Sequence, residues 1–287
     1  MRAIGARYDS DGSRLVPDHA NTMRRMRLAW ELARAEFRRY STYRAATVSG
    51  LFTNTVFGFL RAAVLIAALK ATHTGVIGGY GRRDALTYTW LTQALLMTVA
   101  VWGWNDIALR VQSGDIATDV VRPFDLQGWW LARDLGRAWY AFCARGIVML
   151  VIGSLAFDLA IPSAALRWIN FLISVLLAVI VSYAMRFIVN LAVFWTLDWR
   201  GVSMAHNVLM SMLTGMNVPI AFFPKSIATV LRALPWYQTI QAPIDVFLGK
   251  GNALSTLMLQ AVWMIAMLLV GRVVLARATR RLVVQGG

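Results

Sequence analysis

The 287-residue sequence is poor in the residues that most often carry chemistry. Its one cysteine, Cys143, leaves no partner for a disulfide and no thiolate set for a metal cluster, and its place in an apolar run makes packing its expected role. His19, His73 and His206 are the only histidines, and none stands in the H-E-x-x-H spacing that sets two imidazoles on one helical face. No G-x-S-x-G elbow and no G-x-x-x-x-G-K-[ST] loop occurs. No catalytic residue, no metal site and no bound cofactor are therefore expected, and the chain is not expected to hydrolyse ATP alone. Charge is scarce as well. Only 15% of the residues are charged, well below the soluble average of about 25%, while 58% are hydrophobic and the mean hydropathy is +0.56. These values exclude an ordinary soluble domain and point to an all-α integral membrane protein.

Six apolar stretches are expected to span, at about 49–69, 85–109, 139–157, 168–197, 202–220 and 254–275. Each meets the roughly 17–25 residues that a bilayer crossing needs. Residues 1–21 are polar and without periodicity, which predicts a flexible tail. They also lack the apolar core of a cleavable signal, so insertion through the first span is expected. From Met23 the positions Met26, Trp30, Ala33, Phe37 and Tyr40 recur at spacings of three and four, with Arg24, Arg27, Arg34 and Arg38 off that line. Residues 22–48 thus read as an amphipathic helix lying in the headgroup plane against anionic lipid. The membrane-embedded unit is then 49–276, and 277–287 form a C-terminal tail.

Bases outnumber acids by 29 to 14, for a formal charge of +15. With both termini on one side, 19 bases fall on that side, 7 fall in the opposite loops and 3 lie in the spans. The positive-inside rule predicts cytoplasmic termini. The basic charge then serves topology and lipid contact, and no nucleic-acid partner is expected.

Two stretches break the apolar pattern. Residues 113–137 read S-G-D-I-A-T-D-V-V-R-P-F-D-L-Q-G-W-W-L-A-R-D-L-G-R, a polar island of mixed charge between two spans. Its proline predicts that a short helix from Asp115 stops near Arg122-Pro123. Asp125 is placed to N-cap a second helix that runs through Trp129 and Trp130 into the next span. Residues 219–249 are apolar but repeatedly interrupted by Pro219, Pro224, Pro235 and Pro243, which predicts short helices at 226–234 and from Thr239, dipping back into the outer leaflet.

The pattern G-D-I-A-x-D-x-x-R-P-x-D-L-Q at 114–127 resembles the corresponding segment of ABC type-2 exporter permeases, in particular small six-helix subunits without an ATPase domain. The F-F-P…L-P-W…P-I-D…G series resembles their extracellular re-entrant region. The resemblance covers most of residues 23–280. It implies six transmembrane helices with an N-terminal interfacial helix, a cytoplasmic coupling hairpin and an extracellular re-entrant helical region holding Phe223, Pro224, Pro235 and Pro243. It further implies that Gly114, Asp115, Asp119, Arg122, Pro123 and Asp125 dock on a separate ABC ATPase subunit, which binds the ATP and Mg. A second permease subunit, identical or related, and a bacterial plasma (inner) membrane are implied too. From the residues alone the segment reads as a structured cytoplasmic helical hairpin, or as a solvated loop.

Within the spans, Arg61, Arg145 and Arg186 are the charges that need a reason, since a central arginine costs about 3 kcal/mol on insertion scales. With Asn190 they are the candidate translocation path, although Arg145 lies near enough to its span's start to snorkel. Asn54, Gln93 and Asn217 read as interhelical hydrogen-bonding groups. Gly215 and the methionines of the fifth span suit a dimer seam, a greasy path or ordinary packing. Almost no acid lies in the spans. An ATP-independent transporter or channel using Arg61 and Arg186 is one alternative, and a membrane scaffold is another.

Overall fold

The computed structural model describes residues 18–120 and 125–281. Among these residues the regular structure is helical, with one isolated bridge between Ile77 and Tyr80. Helix α1 (Asp18–Ser41) is followed by α2 (Arg44–Lys70), α3 (Arg82–Val99), α4 (Asp106–Ser113) and α5 (Ile116–Val120). Then come α6 (Leu126–Ala156), α7 (Ala165–Thr196) and α8 (Arg200–Leu213). The short α9 (Lys225–Ala233) and α10 (Gln241–Leu248) precede α11 (Ala253–Thr279). Four of these, α2, α6, α7 and α11, are long and apolar enough to cross a membrane.

The expected second and fifth spans are shorter than their hydropathy implied. Helix α3 stops at Val99, where Ala100 takes a left-handed φ of 53°, and a non-helical turn runs to Asn105 before α4 begins. It is buried along most of its length. That burial explains its modest apolarity: Thr87, Thr89, Thr92 and Thr98 each donate to the carbonyl four residues back, so their hydroxyls carry no unpaired polarity into the packing. Helix α8 ends at Leu213 rather than near Ile220, and the chain continues as an irregular turn with Gly215 at φ 73°.

The expected interfacial segment also divides earlier than 48. Ser41 and Thr42 turn their hydroxyls back onto the Arg38 and Arg39 carbonyls, which ends α1 before α2 starts at Arg44. The apolar stripe of α1 meets protein as well as solvent or lipid. Phe37 packs edge-on against Tyr140, Trp30 against Trp139, and Glu36 pairs with Arg133 at 3.0 Å and with Arg39 at 2.8 Å. Met23 and Met26 stay exposed.

Other expectations match closely. Asp125 N-caps α6, accepting from the Gly128 N–H at 2.9 Å. Helix α6 then runs on through Trp129 and Trp130 for 31 residues, about 46 Å. Within it, Phe142–Gly146 widen to a π turn. Cys143 lies in that turn and is exposed, so the packing role expected for it is corrected: its side chain is on the outward face of α6. Helices α9 and α10 fall where the prolines allow, α9 bounded by Pro224 and Pro235, and α10 with Pro243 in its first turn, where a missing N–H costs nothing.

Two helices approach closely at Gly136 of α6, where an added Cβ would collide with the Ala33 carbonyl of α1. Gly136→Ala is expected to force the two helices apart at a cost of about 1–3 kcal/mol. Hydrogen exchange should then accelerate along α1 while α11 is unchanged; unaltered protection of α1 would count against this packing.

Candidate functional site: a charged hairpin over a buried ion network

Residues 113–137 fold so that their carboxylates divide into two groups. Asp119 is only 6% exposed and pairs with Arg110 of α4 at 3.2 Å. Asp125 accepts both terminal nitrogens of Arg272, at 3.0 and 2.9 Å, which ties the start of α6 to the end of α11 in a bidentate pair. Ile116 is buried among Trp104, Ile107 and Leu126. Gly114 takes φ 81°, the left-handed conformation that closes α4. Asp115 is exposed and its carboxylate accepts from the Ser113 hydroxyl at 2.8 Å. Arg122 and Pro123 lie outside the described residues.

Beneath the hairpin, Asp134 of α6 is buried between two arginines, with Arg137 Nε at 2.8 Å and Arg186 Nη2 at 2.9 Å. A lone buried carboxylate is costly, and this one is satisfied by charge and geometry together. The same arginines close the broken end of α3. Arg137 donates to the Met97 and Thr98 carbonyls at 2.6 and 3.1 Å, Ser182 donates to the Val99 carbonyl at 2.8 Å, and Arg186 reaches that carbonyl at 3.5 Å. The last carbonyls of a helix have no partner of their own and carry partial negative charge, so cations suit that place. Asn190 fixes the turn that follows: it donates to the Trp104 carbonyl at 2.9 Å and accepts from the Ala108 N–H at 3.0 Å. The Trp104 ring covers the Arg186 guanidinium at 5.3 Å.

Of the residues expected on a translocation path, Arg186 and Asn190 are brought together, and Arg61 and Arg145 each lie elsewhere. Arg186 and Asn190 belong to this network. Arg61 serves the turn beyond the other interrupted helix, donating to the Met216 carbonyl at 2.7 Å and to Asn217 Oδ1 at 3.0 Å after the end of α8. Tyr88 donates to the neighbouring Gly215 carbonyl, and Gln241 accepts from the Ile220 N–H. Arg145 leaves the π turn of α6 to reach the Ala46 and Thr47 carbonyls of α2, lying over Gly50. All three in-span arginines are thus committed to backbone or carboxylate groups.

In the proline-broken region Phe223 is partly exposed, and Pro224, Pro235 and Pro243 set the helix limits already described. Its chemical centre is a residue that the sequence reading passed over. Asp245 is buried and accepts from Tyr80 and Tyr237, each at 2.6 Å, and from Gln241 at 2.8 Å. Burial pushes its carboxyl above the ordinary range, while the three donors pull the other way. Nearby, Lys250 joins Asp84 and the Gly79 carbonyl, both at 2.7 Å. Among the described residues no three His, Cys, Asp or Glu side chains are placed to hold a metal ion.

An acid whose folded pKa is raised favours the fold while protonated. Its contribution is complete below the unfolded value of about 3.9 and is lost as pH rises through the folded value. The stability of the protein relative to Asp245→Asn is therefore expected to decline as pH rises above about 4, measured by thermal unfolding of the two proteins side by side. A difference constant with pH would contradict the raised carboxyl.

A family model described as ABC-2 family transporter protein matches residues 57–286. No curated protein matches the chain. The match begins within α2 and takes in the hairpin, the ion network and the proline-broken region, and with four helices long and apolar enough to cross a bilayer it accounts for the architecture. This chain belongs to the ABC-2 transporter family and is a multi-pass membrane transport permease.

Proposed function

We propose that this chain is the permease subunit of an ATP-driven exporter, moving a hydrophobic or amphipathic substrate outward when powered by a separate ATPase subunit. The chain contributes no catalytic residue; ATP and Mg belong to the ATPase. Two permease subunits, identical or related, would enclose the path, in a bacterial inner membrane with both termini cytoplasmic. The observation that carries this reading is the division of carboxylates in the hairpin. Asp119, Asp125 and Asp134 are directed at arginines of the permease itself, and Asp115 is left exposed at the hairpin surface. A hairpin so anchored would transmit a push as a unit rather than deform. Its load would pass through Asn190, Trp104 and Arg186 into α7, and through Arg137 into α3, where it would shift the balance between two arrangements of the bundle.

The ATP-independent alternative draws on Arg61 and Arg186 as substrate or ion contacts, and both side chains are engaged elsewhere. The exporter reading is tested by purifying tagged protein in mild detergent and identifying the chains that accompany it. A stoichiometric ATPase is expected, and a preparation that retains its oligomers without any ATPase would overturn the reading. In the assembled complex, Asp115→Ala and Arg122→Ala are expected to lower transport per ATP hydrolysed by about 2- to 30-fold, the effect of 0.5–2 kcal/mol of lost coupling. Membrane levels should be unaltered, and unchanged coupling in both variants would remove the docking role.

A further inference from the structure

Four acids are buried among the described residues: Glu36, Asp119, Asp134 and Asp245. Three of them pair with arginines, Glu36 with Arg133, Asp119 with Arg110, and Asp134 with Arg137 and Arg186. Asp245 pairs with no Lys or Arg among the described residues, and its donors are all neutral. Tyr80 and Gln241 donate to Oδ1 at 2.6 and 2.8 Å, and Tyr237 donates to Oδ2 at 2.6 Å. A carboxyl buried without a counter-charge holds its proton more strongly than one in water. The charged and titratable groups around it leave it in that state. Lys250 is taken up by Asp84 and lies 5.0 Å from the centroid of the Tyr80 ring. Arg232 of α9 is exposed, and Arg167 of α7 lies against Gly249, past the end of α10. Tyr88 of α3 donates to the Gly215 carbonyl, and α11 has no charge between Ala253 and Gly271. Burial holds the phenols of Tyr80 and Tyr237 above their ordinary range, so the carboxyl loses its proton before either of them.

The two carboxyl oxygens differ. Oδ1 accepts two bonds and Oδ2 one, so the proton belongs on Oδ2, where the distance to the Tyr237 hydroxyl suits an O–H···O bond in either direction. With the proton there, the carboxyl is neutral and donates to Tyr237. When the proton leaves for solvent water, Tyr237 donates in return and a full negative charge remains in a nearly closed site. What the carboxyl holds is the proline-broken region. Gln241 donates to Asp245 and Tyr80 through Nε2, while its Oε1 accepts from the Ile220 N–H at 3.3 Å. Tyr237 packs with Ile220, Ala228 and Ala242, and the Tyr80 ring stands edge-on to Phe222. The turn beyond α8, α9 and α10 therefore converge on one carboxyl. Separating them admits water to it, and a carboxylate is far more stable in water than in this site.

We propose that Asp245 is a proton-binding latch: it carries a proton while the turn beyond α8, α9 and α10 are packed together, and loss of that proton to water favours their separation. The latch stands on this geometry; only its placement at the outer mouth of an export path rests on the exporter reading.

The test is hydrogen–deuterium exchange of the full chain in phosphatidylcholine nanodiscs between about pH 4 and 9, without ATPase or ATP, so its failure speaks against the latch and leaves the exporter reading to its own experiment. Dividing each rate by the intrinsic exchange rate at the same pH gives the local opening of residues 216–222 and 236–248, with residues 253–271 as the reference. In the wild-type protein that opening is expected to rise with pH by as much as about 10-fold per unit and to level off above the folded value of the carboxyl. Asp245→Asn, whose amide keeps a neutral acceptor and donor in place, should make the opening independent of pH. Tyr237→Phe costs the charged form more than the neutral one, because a hydrogen bond to a charged group is about twice as strong, so its rise should extend to higher pH than in the wild type. The second variant carries the test if the first fails to fold. Opening that does not change with pH in the wild type, a pH dependence that Asp245→Asn leaves intact, or one that Tyr237→Phe does not move would overturn the proposal.

Discussion

The buried carboxylate of Asp134 is the constraint on which the hairpin end of the molecule depends. Taking two arginines and one aspartate out of water is expensive, and their attraction offsets that cost only when geometry is good and the remaining donors find acceptors. Here the remaining donors find the carbonyls of Met97, Thr98 and Val99. One arrangement therefore solves two problems, an ion cluster short of hydrogen bonds and a helix end short of donors. Because Asp134 lies on α6, Arg186 on α7 and the carbonyls on α3, the solution also fixes three helices relative to one another.

The same logic recurs where α8 is interrupted. Arg61 of α2 and Tyr88 of α3 supply donors to the carbonyls of Met216 and Gly215, and Gln241 supplies an acceptor to the Ile220 N–H. Irregular backbone at membrane depth is tolerated only where protein satisfies it, and each break is served from neighbouring helices. The in-span arginines thus need no substrate to explain them.

Much of the architecture was legible where the signal is local. Asp125 as a helix cap, the uninterrupted run from Leu126 through Trp130 into the apolar segment, and the short helices between prolines follow from the behaviour of neighbouring residues. The end of α3 was not legible, because hydropathy continues past Val99 and nothing local stops a helix there as proline does; α8 had a local mark in Gly215, at φ 73° two residues past Leu213, but hydropathy continues beyond it to Ile220. The end of α3 is closed by donors far away in sequence, Arg137 and Ser182, and Arg61 serves the Met216 carbonyl in the turn beyond α8. The Asp134–Arg137 pair did have a visible mark, opposite charges three apart on a helix, but charge beside a polar loop reads as solvated. Asp245 was hidden for the opposite reason, since Tyr80 is distant in the chain and gives no sign of its partner.

If the ion network holds the broken end of α3, its removal should loosen that end before the rest of the bundle. Hydrogen–deuterium exchange of Asp134→Asn against the wild-type protein measures this directly. Breaking a buried pair by removing one partner costs about 3–5 kcal/mol, and local opening free energies are what exchange reports. The account predicts exchange in residues 97–108 at least about 100-fold faster, with α11 little changed. Exchange in 97–108 that matches the wild type would contradict it.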